Sequence, residues 1–557
     1  MQDWTLDRRA VMKAMLAGSA VSTLMMNSRA FASSCKDHIV RIAAIVAPDT
    51  LNPFASNGNF WPLTFTYDFF VAVDAQRHSD RKGFAKEWTV AKDNLTWTFK
   101  IWPGMKWSDG QPATARDAAF TYNYLRGSIG RADELNVGYN TTLTVAPFES
   151  ITALDDETLQ IVTKVPTRSP VENLTMIVPE HIWKNISYAD ARGTFRNDPP
   201  LVGTGPMTIS EFQQGQFARF TPNPYFRTGQ PKTAGMIFHF FDTADPIAQG
   251  LKSGSLDYGV SLTPSQWADL SKQANMAVGE SRIEQQNYLA FNTLSGKGAG
   301  STKALQDPAF RDAIGYAIDQ KAIVDRAMRG HADPGVGLVV PAATDYYSDL
   351  SDIRRRFDLD EAGRRLDAAG YRDSNADGVR EDKEGNDFHL ELITGTFSGM
   401  LEMPIAAVQL IAAWLEQLGI RVSVTQLDAG ALSARTRVPT EGGGGWDLLV
   451  SSYWGSPTPH DLLSLCSSEV VGRANTSYWT NQKFDSLLST INGTVDLNKS
   501  KELVDQAARL AYVEAPYIML CYPFVLEAHR KDCFDGWGTE DMMSMWSYFP
   551  FDRLRSI

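Results

Sequence analysis

Between Leu95 and Ile101 apolar and polar residues alternate strictly, which predicts a half-buried strand. Pro103-Gly104 and Asp109-Gly110 then punctuate the chain as turns. Thr114 with Asp117 three positions later is the capping pattern of a helix from about Ala115 to Arg126. The extended runs Met207 to Phe212 and Phe217 to Phe220 flank a Gln214-Gly215 turn and predict a hairpin. Asp307-Pro308 opens a helix carrying Phe310, Ile314 and Ala317 at helical spacing, and Asp319 caps its continuation through Met328, stopped by Gly330. Asp360 to Ala369 is helical with Gly370 as its stop. Met400 to Leu418 is a long apolar helix that Gly419 ends, leading into the alternating strand Ile420 to Val424. Helices that feed strands through single glycines make this second half an α/β layer structure.

Two glycine-rich sites ask for a separate reading. Gly203-Thr204-Gly205-Pro206 is not followed by a helix, and no Gly-x-Gly-x-x-Gly occurs in the chain, so a backbone turn is expected rather than a phosphate cradle. Gly442 to Gly445 reads as a mobile loop.

With 557 residues, 43% of them apolar, the chain has ample material for several lobes. Its net charge of −12, with no basic run, excludes a nucleic-acid binder that works by neutralising phosphates. The first 32 residues read as an address: Arg8, Arg9 and Lys13, an apolar run from Ala14 to Met26, then Ala30-Phe31-Ala32 as a cleavage site. Asp7 to Lys13 resembles a twin-arginine export signal, with Val11 and Met12 where Phe and Leu are usual. Removing residues 1–32 takes away four basic and two acidic groups and moves the net charge from −12 to −14. Ala32-Ser33-Ser34-Cys35 is a poor lipoprotein box, so lipid anchoring through Cys35 is the lesser reading and a free periplasmic protein the favoured one.

Several segments, in order, resemble the bacterial extracellular solute-binding proteins of family 5, the receptors of peptide, dipeptide and nickel ABC importers. They are Trp97 to Lys100, Gly104 to Gly110, Ala115 to Phe120, Val202 to Pro206, Asn223 to Phe226, Phe291 to Thr293, Phe310 to Ile314, Tyr316 to Asp319, Gln417 to Ile420 and Glu514 to Pro516. The resemblance runs from residue 38 to 550. It implies an α/β, two-lobed periplasmic-binding-protein fold (type II, cluster C) with an extra subdomain and a ligand cleft between the lobes. By that analogy residues 36–78, 201–286 and 521–557 form the first lobe, 79–200 the extra subdomain and 287–520 the second lobe. The chain would cross between lobes near Tyr288 to Thr293 and again near Cys521.

The resemblance also implies the function: capture of a small solute, by default a peptide, and its delivery to an ABC permease and its ATPase complex at the inner membrane. No cofactor, no nucleic acid and a monomer are expected. A receptor cleft needs aromatic walls and a few aligned polar groups. Candidates are Asn57 and Trp61, in the loop after Asn52-Pro53-Phe54, together with Trp446, Tyr453, Trp454 and His460 in the segment 446–461, and Asn292 at the crossing, with Tyr288 beside it. Oligopeptide receptors of this family carry an aspartate in the cleft loop that pairs with the peptide α-amino group. Aligned on Pro457, that position is Tyr453, and Leu448 to Thr458 contains no acid. The missing acid opens an alternative: a sugar, an opine-like conjugate or a metal chelate stacked on Tyr453 and Trp454.

Catalytic patterns are missing from the sequence. No His-Glu-x-x-His and no Gly-x-Ser-x-Gly occurs, so a secreted hydrolase, the reading from another class, lacks its constellation. One metal pattern is present: Asp373, Asn375, Asp377 and Glu384 fall at positions 1, 3, 5 and 12 of a calcium loop with Gly378 at 6. Its flanks are a helix and a strand rather than two helices, so an Asx-rich turn without an ion is the competing reading. Cys466, Cys521 and Cys533 are expected either to form one disulfide with one thiol left over or to remain buried thiols.

Overall fold

The computed structural model describes residues 38–45, 47–55, 61–72, 81–135, 145–172, 175–396, 405–437, 443–455, 458–537 and 554–556. The export signal, Cys35, Asn57 and Pro457 lie outside them.

The chain enters through β1 (Ile39–Ala44) and then builds a separate antiparallel sheet from β2 (Ala85–Val90), β3 (Thr96–Ile101), β4 (Phe148–Ala153) and β5 (Thr158–Thr163), in the order β2-β3-β5-β4. The expected alternation holds in β3, where Trp97, Phe99 and Ile101 are buried. Between β3 and β4 lies α1 (Ala115–Ser128), whose capping box is complete: Thr114 N–H donates to the Asp117 carboxylate at 2.8 Å and Thr114 Oγ1 accepts from the helix. The expected hairpin is β6 (Met207–Gln213) with β7 (Phe217–Pro222), and β7 pairs with β8 (Gly235–Phe240), which returns beside β1.

Next come β9 (Tyr258–Gly259) and β10 (Met276–Arg282), followed two residues later by β11 (Gln285–Phe291), a strand buried along its whole length. The second half then adds α2 (Pro308–Tyr316), β12 (Ala332–Pro334), α3 (Leu359–Ala369), β13 (His389–Gly395), α4 (Ile405–Gln417), β14 (Arg421–Leu427), β15 (Leu448–Trp454), α5 (Gln482–Asn492) and α6 (Leu497–Glu514). The helix stops are those the sequence names: Gly370 adopts φ +92° and Gly419 φ +77°, conformations that cost glycine little.

The last long strand, β16 (Tyr517–Arg530), joins everything into a 12-stranded sheet of order β14-β13-β15-β11-β16-β9-β1-β8-β7-β6, with β10 and β12 also paired to β16. Up to Cys521 it pairs with β11; from Phe524 onward it pairs with β10. Pro523 stands at the change of partner, and a proline has no N–H to give to a ladder. Between β10 and β11 the pairing changes hands at Ile283-Glu284, and Gln285 to Phe291 run in the ladder with β15. Leu289 and Phe291 feed one core of the second half, Tyr288 and Ala290 another on the opposite face.

Candidate functional site

The two changes of partner meet at a polar spot in an otherwise apolar sheet. β11 begins Gln285-Gln286-Asn287, and all three side chains are at most 1% exposed. Gln285 and Asn287 share one face: Gln285 Nε2 donates to Asn287 Oδ1 at 3.3 Å, and Asn287 Nδ2 donates to Cys521 Sγ at 3.9 Å. Gln286 points to the opposite face with Tyr288, and neither atom of its carboxamide has a hydrogen-bond partner among the described residues. Farther along β16, opposite Gly279 of β10, Glu527 is wholly buried and accepts from the Tyr258 hydroxyl. Burial, and then the neighbouring carboxylate, push the Tyr258 phenol well above its ordinary range. Its ring stacks on Trp537 at 5.6 Å and 13°.

The end of β15 lies against this spot. Tyr453 is the cross-strand partner of Gln286, and Trp454 that of Gln285. Trp454 stands on a second-half strand yet packs against the core built by the first half and the four-stranded sheet. The Tyr453 hydroxyl donates to Asp461 Oδ1 at 2.7 Å and accepts from Ser464 Oγ at 3.0 Å. Burial, then the Asp461 charge, raises the Tyr453 phenol. Asp461 stands on the short helix Pro459–Leu463 that follows the acid-free stretch 448–458. Gly455 permits this approach, since a Cβ there would sit 3.1 Å from the Tyr453 ring and 3.2 Å from Asp461 Oδ2.

Other candidates separate from this group. Asn292 is fully buried: its Nδ2 donates to Trp446 O at 2.7 Å and Gly298 O at 3.0 Å, and its Oδ1 accepts from Leu294 N–H. Trp446 is buried in the second-half core beside Tyr478. Asn292 spends its amide on hydrogen bonds within the fold, and Trp446 packs inside the second-half core. His460 Nδ1 meets Asn492 Nδ2 at 3.3 Å, at the end of α5, which separates it from Tyr453 and its partners. Trp61 opens a short helical turn, Trp61–Phe65, but its side chain, like Asn57, lies outside the described residues. What is described of that loop is its anchor. Asn52 Nδ2 donates to Ala191 O at 2.7 Å and Phe195 O at 2.8 Å while its Oδ1 accepts from Phe54 N–H at 2.9 Å.

The segment Asp373 to Gly378 is built as the Asx-rich turn favoured over a calcium loop. Asp373 accepts from the N–H groups of Asp377 and Gly378, Asn375 from that of Asp377, and Asp377 from that of Val379. Glu384 instead pairs with Lys303 at 2.8 Å. The oxygens fold inward on the backbone as Asx turns, and among the described residues no three metal-capable side chains converge. Cys466 and Cys521 are free and buried, whereas Cys533 is disulfide-bonded, so the disulfide does not join any two of the three cysteines considered. Gly203 and Gly205 serve close backbone contact: a Cβ would come within 1.9 Å of Thr66 O and 2.4 Å of Phe65 O, respectively.

Sequence patterning did not single out Gln285, Gln286, Glu527 or Tyr258. The signals available were a polar triplet opening an apolar strand, and one acid inside the run Tyr517 to Ala528.

Comparison with known proteins gives consistent results. The model of the bacterial extracellular solute-binding proteins, family 5, matches residues 81–474. A putative ABC transporter peptide-binding protein of Brucella ovis is 27% identical over 387 residues, 68% of this chain and 66% of that protein, just under two thirds of its length. The glutathione-binding protein GsiB of Escherichia coli is 26% identical over 545 residues, 96% of this chain and 98% of that one. Among solved structures, the ABC transporter substrate-binding protein CtaP of Listeria monocytogenes superposes with a TM-score of 0.78 at 19% identity, covering 93% of this chain and 99% of that one.

Proposed function

This chain belongs to the family-5 bacterial extracellular solute-binding proteins, and on that premise we propose that it captures a peptide-class solute outside the inner membrane and hands it to an ABC importer. The observation that carries the peptide reading is the Tyr453–Asp461 pair. A peptide ammonium entering a low-dielectric cleft needs a carboxylate, and Asp461 supplies one beside the position where the family's aspartate is replaced. Relatives named as peptide-binding and glutathione-binding support the same class. Trp454, reaching from a second-half strand to the first-half core, is placed to report closure around the solute.

In this reading residues 36–78, 201–286 and 521–557 act as the first lobe, 287–520 as the second and 79–200 as the extra subdomain, with hinges at Ile283-Glu284 and Pro523. The protein works as a monomer with an ABC permease and its ATPase, and the twin-arginine-like start sends it to the periplasm. The experiment is calorimetry with tri-alanine and N-acetyl-tri-alanine on the full chain and on Asp461→Asn. Binding of the free peptide, loss of at least about tenfold on acetylation, and a similar loss in the variant are expected. Equal affinity for both peptides rejects Asp461 as the ammonium partner.

A further inference from the structure

We propose that Gln286 is a ligand-contacting residue whose carboxamide hydrogen-bonds the polar backbone of the bound solute and so sets specificity for extended peptides. The inference rests on the peptide reading above and adds a second contact to it. Gln286 lies two residues past the change of partner on β11, directly across the ladder from Tyr453, on the same face of the sheet. It is 1% exposed, and both Nε2 and Oε1 lack a partner among the described residues.

The contrast with its neighbours is specific. Asn287, one residue on, uses its amide on Cys521, and Asn292, farther along, makes three hydrogen bonds within the fold. A buried amide with neither donor nor acceptor engaged is costly, and such groups persist where a partner arrives during function. The chemistry of that partner follows from the group. A carboxamide offers one acceptor and one donor along a single edge. In an extended peptide each residue presents its N–H and C=O on the same side, so one peptide residue answers both ends of Gln286, as a neighbouring strand would. With Asp461 on Tyr453 taking the ammonium, Gln286 would read the backbone next to it.

The test compares the full chain with Gln286→Met, which keeps length and approximate volume and removes both hydrogen-bonding ends. Calorimetry uses tri-alanine, glutathione and maltose as probes, and thermal melting is recorded without added solute. Expected is a loss of about tenfold or more in affinity for the two peptides, with a melting temperature that is unchanged or higher because an unpaired buried amide has gone. Unchanged peptide affinity overturns the proposal whatever the melting temperature; a lower melting temperature beside it shows that the amide serves the fold. If the parent chain binds maltose and neither peptide, the peptide reading fails on its own. The same comparison on maltose then decides Gln286: a tenfold loss keeps it as a solute contact, and no loss removes it.

Discussion

Replacing Asn52 by alanine tests how the fold holds the loop that leads toward Asn57 and Trp61. Asn52 is fully buried and makes three short hydrogen bonds, two donated to the carbonyls of Ala191 and Phe195 and one accepted from Phe54 N–H. The two carbonyls belong to the helical turn Asp190–Thr194 and the residue after it, so the side chain caps the end of an element about 140 residues away in sequence. In Asn52→Ala two buried backbone groups and one part-buried carbonyl lose a partner. At about 1–2 kcal/mol each, the loss of stability is about 3–6 kcal/mol. Asn52→Asp separates geometry from volume: a carboxylate still accepts from Phe54 but turns a negative charge on two carbonyl oxygens, so it should destabilise at least as much as alanine. The assay is the urea transition of the full chain, followed by far-ultraviolet circular dichroism and tryptophan fluorescence. A loss under about 1 kcal/mol for alanine, or an aspartate variant as stable as the parent, refutes the hydrogen-bond account.

Two further outcomes follow from burial. Desolvation raises the Cys521 thiol to about 12 and the Cys466 thiol well above its ordinary value, so iodoacetamide at pH 8 should label neither in the native chain and both in urea, as read by peptide mass spectrometry; rapid native labelling contradicts the burial. His529 is held down to about 4, by burial first and the Lys531 charge second. Its folded pKa lies below the unfolded value of about 6.5, so the unfolded chain takes up the proton first as pH falls. Stability contributed by the neutral imidazole is therefore present above about pH 6.5 and is lost progressively toward pH 4, by up to about 3 kcal/mol. Urea midpoints at pH 7.5 and 4.5 should differ less in His529→Gln than in the parent, and equal differences would exclude the effect.

Ile283 and Glu284, between β10 and β11, lie outside any strand, whereas β16 stays paired through Pro523, with β12 facing Cys521 to Pro523. Ion pairs Arg282–Asp333 at 2.7 Å and His331–Glu280 at 3.0 Å join β10 to β12 and its preceding residue beside the junction. They lie at least partly in solvent, where each contributes little to stability.

What could be read from sequence was local in origin. The alternation in 95–101, the Thr114–Asp117 cap, the Asp307-Pro308 start and the glycine stops at 370 and 419 each depend on residues within a turn or two of one another, and each element formed where expected. Gly203 and Gly205 were legible as a turn, although the backbone they approach, Phe65 and Thr66, was not. The candidate site depends on tertiary structure because its members are far apart in the chain: Gln286 faces Tyr453 across the ladder, and Asn287 meets Cys521 across 234 positions. Position in the family's pattern named Asn292 and Trp446 as candidate contacts, and the fold shows the hydrogen bonds and packing they enter. Asp461 was visible in sequence as an acid farther along the segment, and the fold brings it to the Tyr453 hydroxyl. Sequence determines which groups can pair; burial and the closing of long loops decide which pairs exist and which buried polar group, here Gln286, is left without one among the described residues.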